Sequence, residues 1–171
     1  MSALIENPKA PVEEMGVVVS RKEIAPGIID LFVEAPKIAE KALPGQFVSF
    51  YCRDLSRLLP RPISIAGAKE GKVRFVFRVA GAGTFEFASL GSGDVLRLVG
   101  PLGNGYPNTE GGALLLGGGI GIPPLLFLAE SRKNADDTAI LGYRDKDLFL
   151  LLAFSSVVDA RVATEDGSYG V

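Results

Sequence analysis

Four short segments carry residue types suited to holding a phosphorylated cofactor. The first is Gly117-Gly118-Gly119-Ile120-Gly121-Ile122-Pro123-Pro124. It follows an apolar run and opens a helical pattern. Glycine lets a backbone turn sharply and approach a ligand closely. Pro123 costs little near a helix start, where its missing N–H would have no helical partner. Free N–H groups and the positive end of the helix dipole suit a phosphate or pyrophosphate. The spacing is not G-x-G-x-x-G, since Ile122 stands at the last glycine position. A tight strand-to-helix turn without a ligand is the alternative reading.

The second segment is Arg61-Pro62-Ile63-Ser64. Arg offers a planar fork for phosphate oxygens, and Ser64 adds a hydroxyl. In a strand, positions 61 and 64 do not share a face, so Pro62 or a bulge must re-aim one of them. The alternative is a surface Arg beside an edge-strand proline. The third segment is Arg78 with Gly81-Ala82-Gly83-Thr84. Alternation over Lys72–Ala80 puts Val73, Phe75, Phe77 and Val79 on one face. Lys72, Arg74, Val76 and Arg78 fall on the other, so Arg78 points away from the core. A short helix is predicted over Thr84–Leu90, with Thr84 as its N-cap. A solvated strand face followed by a turn is the alternative.

The fourth segment, Thr164-Glu165-Asp166-Gly167, follows a strand of the parallel type, where ligands bind in open α/β sheets. It reads equally as an acidic surface loop. Cys52 lies in an apolar strand and reads as a buried small residue. Arg53, Arg57 and Arg61 form either a basic patch or a solvated loop broken by Asp54.

Composition narrows the chemistry. The chain has 171 residues, about one domain or one and a fraction. Its 18 Lys and Arg against 20 Asp and Glu give a net charge of −2, which argues against broad phosphate neutralisation on nucleic acid. There is no His, hence no Ser-His-Asp triad and no His-ligated zinc. The single Cys excludes an internal disulfide and a four-Cys cluster within the chain, and its scarcity fits a reducing compartment. Chemistry must come from carboxylates, Lys, Arg, hydroxyls or a borrowed cofactor. Met1–Pro11 shows no apolar signal region, and glycines and prolines interrupt the uncharged stretch Ala113–Ala129. The expectation is a soluble, cytoplasmic protein.

The elements that must position these residues change character along the chain. Strands are predicted over Gly16–Ser20, Ile28–Glu34, Gln46–Cys52, Lys72–Ala80 and Asp94–Val99. Closely spaced turns suggest a small antiparallel barrel or sandwich. After Pro107 the pattern is β-α-β-α-β. It has strands at Ala113–Leu116, Thr138–Tyr143 and Ala160–Thr164, and helices at Pro123–Arg132 and Lys146–Phe154. The continuous run Ala113-Leu114-Leu115-Leu116 predicts a strand buried on both faces. The organisation expected is a tail over 1–12, a barrel over 13–106, a linker over 107–112 and a partial α/β unit over 113–171.

These segments, in this order, resemble the ferredoxin reductase-like flavoproteins. Within them, the match is to electron-transfer subunits of type B dihydroorotate dehydrogenases. The stretches that carry it are Leu59–Ile65, Phe77–Thr84, Val99–Gly105, Gly117–Pro124 and Ala163–Ser168. The resemblance implies an antiparallel FAD-binding β-barrel followed by an NAD-binding α/β parallel-sheet domain. It implies FAD contacts at Arg61, Pro62, Ile63, Ser64, Val76, Phe77, Arg78, Gly83 and Thr84. It implies NAD contacts at Gly118, Gly119, Gly121, Pro123, Thr164 and Asp166.

The implied activity is an oxidoreductase subunit of pyrimidine biosynthesis. It passes electrons to NAD from a flavin-containing dihydroorotate dehydrogenase catalytic subunit, in a hetero-oligomer. The family's route runs through a [2Fe-2S] cluster held by four Cys near the C-terminus, whereas this chain has only Cys52 and ligates no metal itself. The chain is then either a fragment or a variant without the cluster, and a fragment is the expectation, because a parallel sheet cut after its third strand leaves an edge to cover. Related flavin subunits of a hydrogenase, a sulfide dehydrogenase or a ferredoxin-linked enzyme share the flavin motifs. A non-enzymatic assembly module would have no need of Arg61, Ser64, Gly83 and Thr84.

Overall fold

The computed structural model describes residues 9–54, 56–107 and 109–170. The first eight residues of the expected tail, Asn108 of the expected linker and Val171 lie outside the described residues, as does most of the segment read for a signal region.

Six strands close an antiparallel barrel. They are β1 (Val12–Ala25), β2 (Ile28–Glu34), β3 (Phe47–Tyr51), β4 (Arg61–Lys69), β5 (Lys72–Arg78) and β6 (Val95–Leu102), in the order β1-β2-β5-β4-β3-β6. A one-turn helix, α1 (Pro36–Ala39), follows β2, and α2 (Ala82–Ala88) follows β5. A parallel sheet comes next, ordered β7 (Leu114–Gly118), β8 (Thr138–Tyr143) and β9 (Asp159–Thr164). Its crossovers carry α3 (Ile122–Arg132) and α4 (Leu151–Ser155).

Period-two alternation builds the barrel core. Val73, Phe75 and Phe77 of β5 point inward and are almost wholly buried. Phe50 packs edge-on against Phe75 at 4.7 Å and against Phe87 of α2 at 5.2 Å. Such pairs add about 0.5–1.5 kcal/mol to the burial of the rings. The outward residues Ile28, Ala66 and Val76 form a second core with Leu115, Ile122, Leu126 and Leu141. Phe127 of α3 joins the barrel cluster itself. Barrel and sheet therefore meet across an apolar interface.

A buried ion pair fixes the connection between them. Arg132 grips Asp137 at 2.7 and 2.9 Å and donates to the carbonyls of Thr109 (3.0 Å) and Gly111 (2.8 Å). Asp137 also accepts the Ala113 N–H at 2.8 Å.

Several expectations are corrected. Thr84 is not the N-cap of α2. Gly81 holds that position, and the Thr84 hydroxyl accepts the N–H groups of Ala80 (2.9 Å) and Gly81 (3.1 Å). The helix expected over Lys146–Phe154 shrinks to Leu151–Ser155. Asp145 draws the Asp147 N–H into a local turn at 2.9 Å, and Leu150 takes a left-handed φ of 65°. β7 is buried on one face only, since Leu114 and Leu116 are 59% and 64% exposed. The helices lie on its other side.

Candidate functional site

The β4–β5 ladder runs from Lys69↔Lys72 to Ile65↔Phe75 and then ends. A register shift between Ile65 and Gly67 bends β4 there. Beyond it, β4 still pairs with β3 through Ser64 and Arg61. β5 still pairs with β2 through Val76, Phe77 and Arg78. Residues 61–64 and 76–78 thus face one another without a shared ladder. Main-chain N–H and C=O groups turned into such a gap need partners, from a ligand or from water.

Arg61 stands at the open end of the gap on the β4 side. Its guanidinium donates to the Leu59 carbonyl and lies against Gly83, where a Cβ would meet Nε at 2.7 Å. Arg57 ties the same loop to α2, donating to the Ala82 carbonyl at 2.7 Å and to Glu86 at 2.9 Å. Arg78 stands at the same open end on the β5 side and is exposed. Pro62 and Ser64 face outward, whereas Ile63 points into the barrel core. Arg61 and Ser64 do not share a face. No bulge separates them, and Arg61 instead turns at the strand end toward Gly83. The side chains of Val76 and Phe77 are taken up by the two cores, so only their backbones are available to a ligand.

A cleft of about 850 Å3 opens between this barrel edge and the sheet. Ala25, Ile28 and Arg78 form its barrel wall. The ends of the parallel strands form the other, with Gly118 at the end of β7 and Gly119 after it, Arg144 after β8, and Thr164 and Glu165 at the end of β9. The glycines divide by role. A Cβ on Gly117 would meet Leu125 Cδ1 at 2.7 Å, so packing demands that glycine. A Cβ on Gly118, Gly119 or Gly121 meets nothing within 4 Å, and Gly119 has a φ of 50°. Protein packing therefore gives no reason for glycine at 118 or 121, while open space beside them leaves room for a ligand.

Other expected residues are set apart. Gly121 and Pro123 do not line the cleft, and Pro123 is buried at the start of α3. The Thr164 hydroxyl is used within its loop, accepting the Tyr169 N–H at 3.0 Å and donating to the Tyr169 carbonyl at 2.9 Å. Asp166 lies off the cleft and accepts the Ser168 N–H at 2.9 Å. The Ser168 hydrogen bonds hold its carboxyl below the usual value.

Arg144 escaped the sequence reading. Its signal was its place directly after a parallel strand. Beside it, burial pushes the Tyr143 phenol up to about 12, and its hydroxyl donates to the Phe149 carbonyl at 2.9 Å. Cys52 is half-buried, and desolvation raises its thiol pKa. Arg53 and Arg57 are not a free basic patch, because they pair with Asp94 (3.0 Å) and Glu86 (2.9 Å).

No family model matches the chain. Curated relatives do. The "Dihydroorotate dehydrogenase B (NAD(+)), electron transfer subunit" of Streptococcus mutans is 39% identical over 168 residues, covering 93% of this chain and 65% of that protein. The Enterococcus faecalis protein of the same name is 37% identical over 167 residues, covering 92% of this chain and 64% of that protein. The chain thus spans slightly under two-thirds of these relatives' length. Among solved structures, an NADH-dependent reduced ferredoxin-NADP oxidoreductase superposes with a TM-score of 0.83 at 32% identity, over 92% of this chain and 59% of that one.

The chain has a ferredoxin reductase-like fold. A cytochrome P450 reductase from Amycolatopsis shares this fold at a TM-score of 0.74 and 20% identity, covering 90% of this chain and 52% of that one. As in the ferredoxin reductase-like arrangement expected from sequence, the closed barrel precedes the parallel sheet. Among the described residues, no group of three or more His, Cys, Asp or Glu is placed to hold a metal ion. No helix among them is long and apolar enough to cross a membrane.

Proposed function

We propose that this chain is a flavin-dependent electron-transfer module that holds FAD on the barrel and meets NAD in the cleft. The β4–β5 gap carries this reading, because its open end is flanked by Arg61, set on Gly83, on the β4 side and by Arg78 on the β5 side. Arg78 also lines the cleft below the glycine loop, so the two cofactor sites share a wall.

The residues fit the cofactor's chemistry. Arg61 supplies a charged fork for phosphate oxygens, and Ser64 supplies a hydroxyl on the outer face. The unladdered backbone of residues 61–64 and 76–78 offers the alternating donors and acceptors that a flavin's polar edge requires. Gly118 and Gly119 admit the dinucleotide close to the backbone, and Arg78 and Arg144 balance its negative charge. The bound flavin supplies the hydride and single-electron chemistry. The chain orients, neutralises charge and limits access, and no side chain here needs to act as an acid or base. The barrel over 13–106 and the α/β unit over 113–171, joined by 107–112, would divide FAD from NAD binding.

The relatives' names support a dihydroorotate dehydrogenase catalytic subunit as the partner; we read that subunit as flavin-containing and the complex as cytoplasmic. The module would then carry electrons to NAD for pyrimidine synthesis, with any [2Fe-2S] cluster ligated outside this chain. The 32% identity to a ferredoxin-linked NAD(P)H enzyme favours a second reading, in which a ferredoxin-type protein is the electron partner. Anaerobic addition of NADH to the FAD-loaded protein tests the shared core of both. The flavin's visible band should bleach. Copurification with a dihydroorotate-oxidising subunit, rather than with a ferredoxin, decides between them.

A further inference from the structure

In the barrel order β1-β2-β5-β4-β3-β6, the β1–β6 seam lies opposite the β4–β5 gap, with β2 and β3 between them on the two flanks. The register sets its outward residues. Val17 pairs with Val95, Met15 with Arg97 and Glu13 with Val99, and Arg97 also pairs with Tyr51 of β3. Met15 is 58% exposed, and Val17 and Val95 are exposed beside it. Partners across a ladder share a face, so these side chains form one contiguous patch rather than scattered apolar residues. The outward face of the β2–β5 seam carries Asp30, Glu34, Lys72 and Arg74 instead.

Arg97 is held flat within this patch. Its guanidinium stacks on the Tyr51 ring at 4.4 Å, and its Nε donates to Glu13 at 2.7 Å. Among the described residues, its two terminal nitrogens have no partner. A guanidinium oriented in this way keeps donors for a carboxylate outside the chain and has little side-chain freedom left to lose. Tyr, Met and Arg are enriched at protein interfaces, and here they adjoin. The patch also holds both members of a charge pair. A two-fold axis crossing it therefore sets each copy's arginine against the other copy's glutamate, which is the self-complementarity an isologous interface requires.

We propose that this face joins two copies of the chain in a two-fold dimer. Met15, Val17 and Val95 pack at its centre, and Arg97 of each copy meets Glu13 of the other. The β4–β5 gap of each copy stays open on the far side, so the dimer does not depend on the flavin reading. Sedimentation velocity of the full chain over a range of concentrations should show a monomer–dimer equilibrium. Arg97→Glu and Glu13→Arg should each raise the dimer dissociation constant roughly tenfold or more, because like charges then face each other across the axis. Combining the two reversals restores opposite charges and should restore the dimer. Both side chains are about half-exposed, so all three variants should fold, and thermal melting checks this. A wild-type chain that sediments as a monomer throughout, a dimer indifferent to either reversal, or a folded double variant that stays monomeric would overturn the proposal.

Discussion

The Arg61 guanidinium lies directly against the Cα of Gly83, so closely that a methyl group there would stand 2.7 Å from Nε and 3.1 Å from Cζ. A strand end and a helix start far apart in sequence are thereby matched to each other. The glycine is needed for the arginine's position rather than for its own backbone. The Gly83→Ala variant should therefore fold, since the end of a flexible side chain can move aside. It should bind FAD at least tenfold more weakly, because a hydrogen bond to a charged group contributes about 1.5–3 kcal/mol. Thermal melting and FAD titration of the same preparation check both parts.

The glycine loop yields a contrast between neighbours. Gly117→Ala should destabilise the fold by about 1–3 kcal/mol, because its Cβ would press on Leu125 Cδ1 at 2.7 Å and on Ile122 Cγ1 at 3.3 Å. Gly118→Ala meets no atom within 4 Å and should leave stability within about 0.5 kcal/mol of wild type. It should nevertheless weaken NADH binding. Denaturant melts and NADH titrations of the two variants test the division of roles.

Much of this arrangement was legible in the residues. β2 and β8 match their predicted spans, and the alternation of β5 alone places Arg78 outside the core. β4 was hidden because Pro62 and Gly67 interrupt its pattern, although it forms the middle of the site. The leucine run at 114–116 misled, because continuous apolarity predicts two covered faces and β7 has one. The Thr84 and Thr164 hydroxyls looked free for a ligand. Only the structure shows that capping and loop closure use them. Arg144 became visible once β8 was seen to end at the cleft.

Acid should loosen the connection between barrel and sheet. Arg132 holds the Asp137 carboxyl below its usual value near 3.8, against the opposing effect of burial. A depressed folded-state pKa contributes stability above the unfolded value, and that contribution is lost as pH falls through the folded one. Wild-type stability should thus drop below about pH 4, with Asp137→Asn less steep over that range. At neutral pH the same variant should cost about 3–5 kcal/mol, because it leaves the largely buried Arg132 without its counter-charge. Melting curves of both proteins across acidic pH provide the check.

The central claim is that Arg61, set on Gly83 beside the open β4–β5 gap, anchors a flavin on the barrel. Its most direct test is an equilibrium titration of the purified chain with FAD, wild type against Arg61→Ala, followed by the flavin absorption spectrum. The account predicts stoichiometric uptake with a perturbed flavin band in wild type, and affinity lowered at least tenfold in the variant. A wild-type chain that stays colourless with FAD in excess, or an Arg61→Ala variant that binds FAD as tightly as wild type, would contradict it.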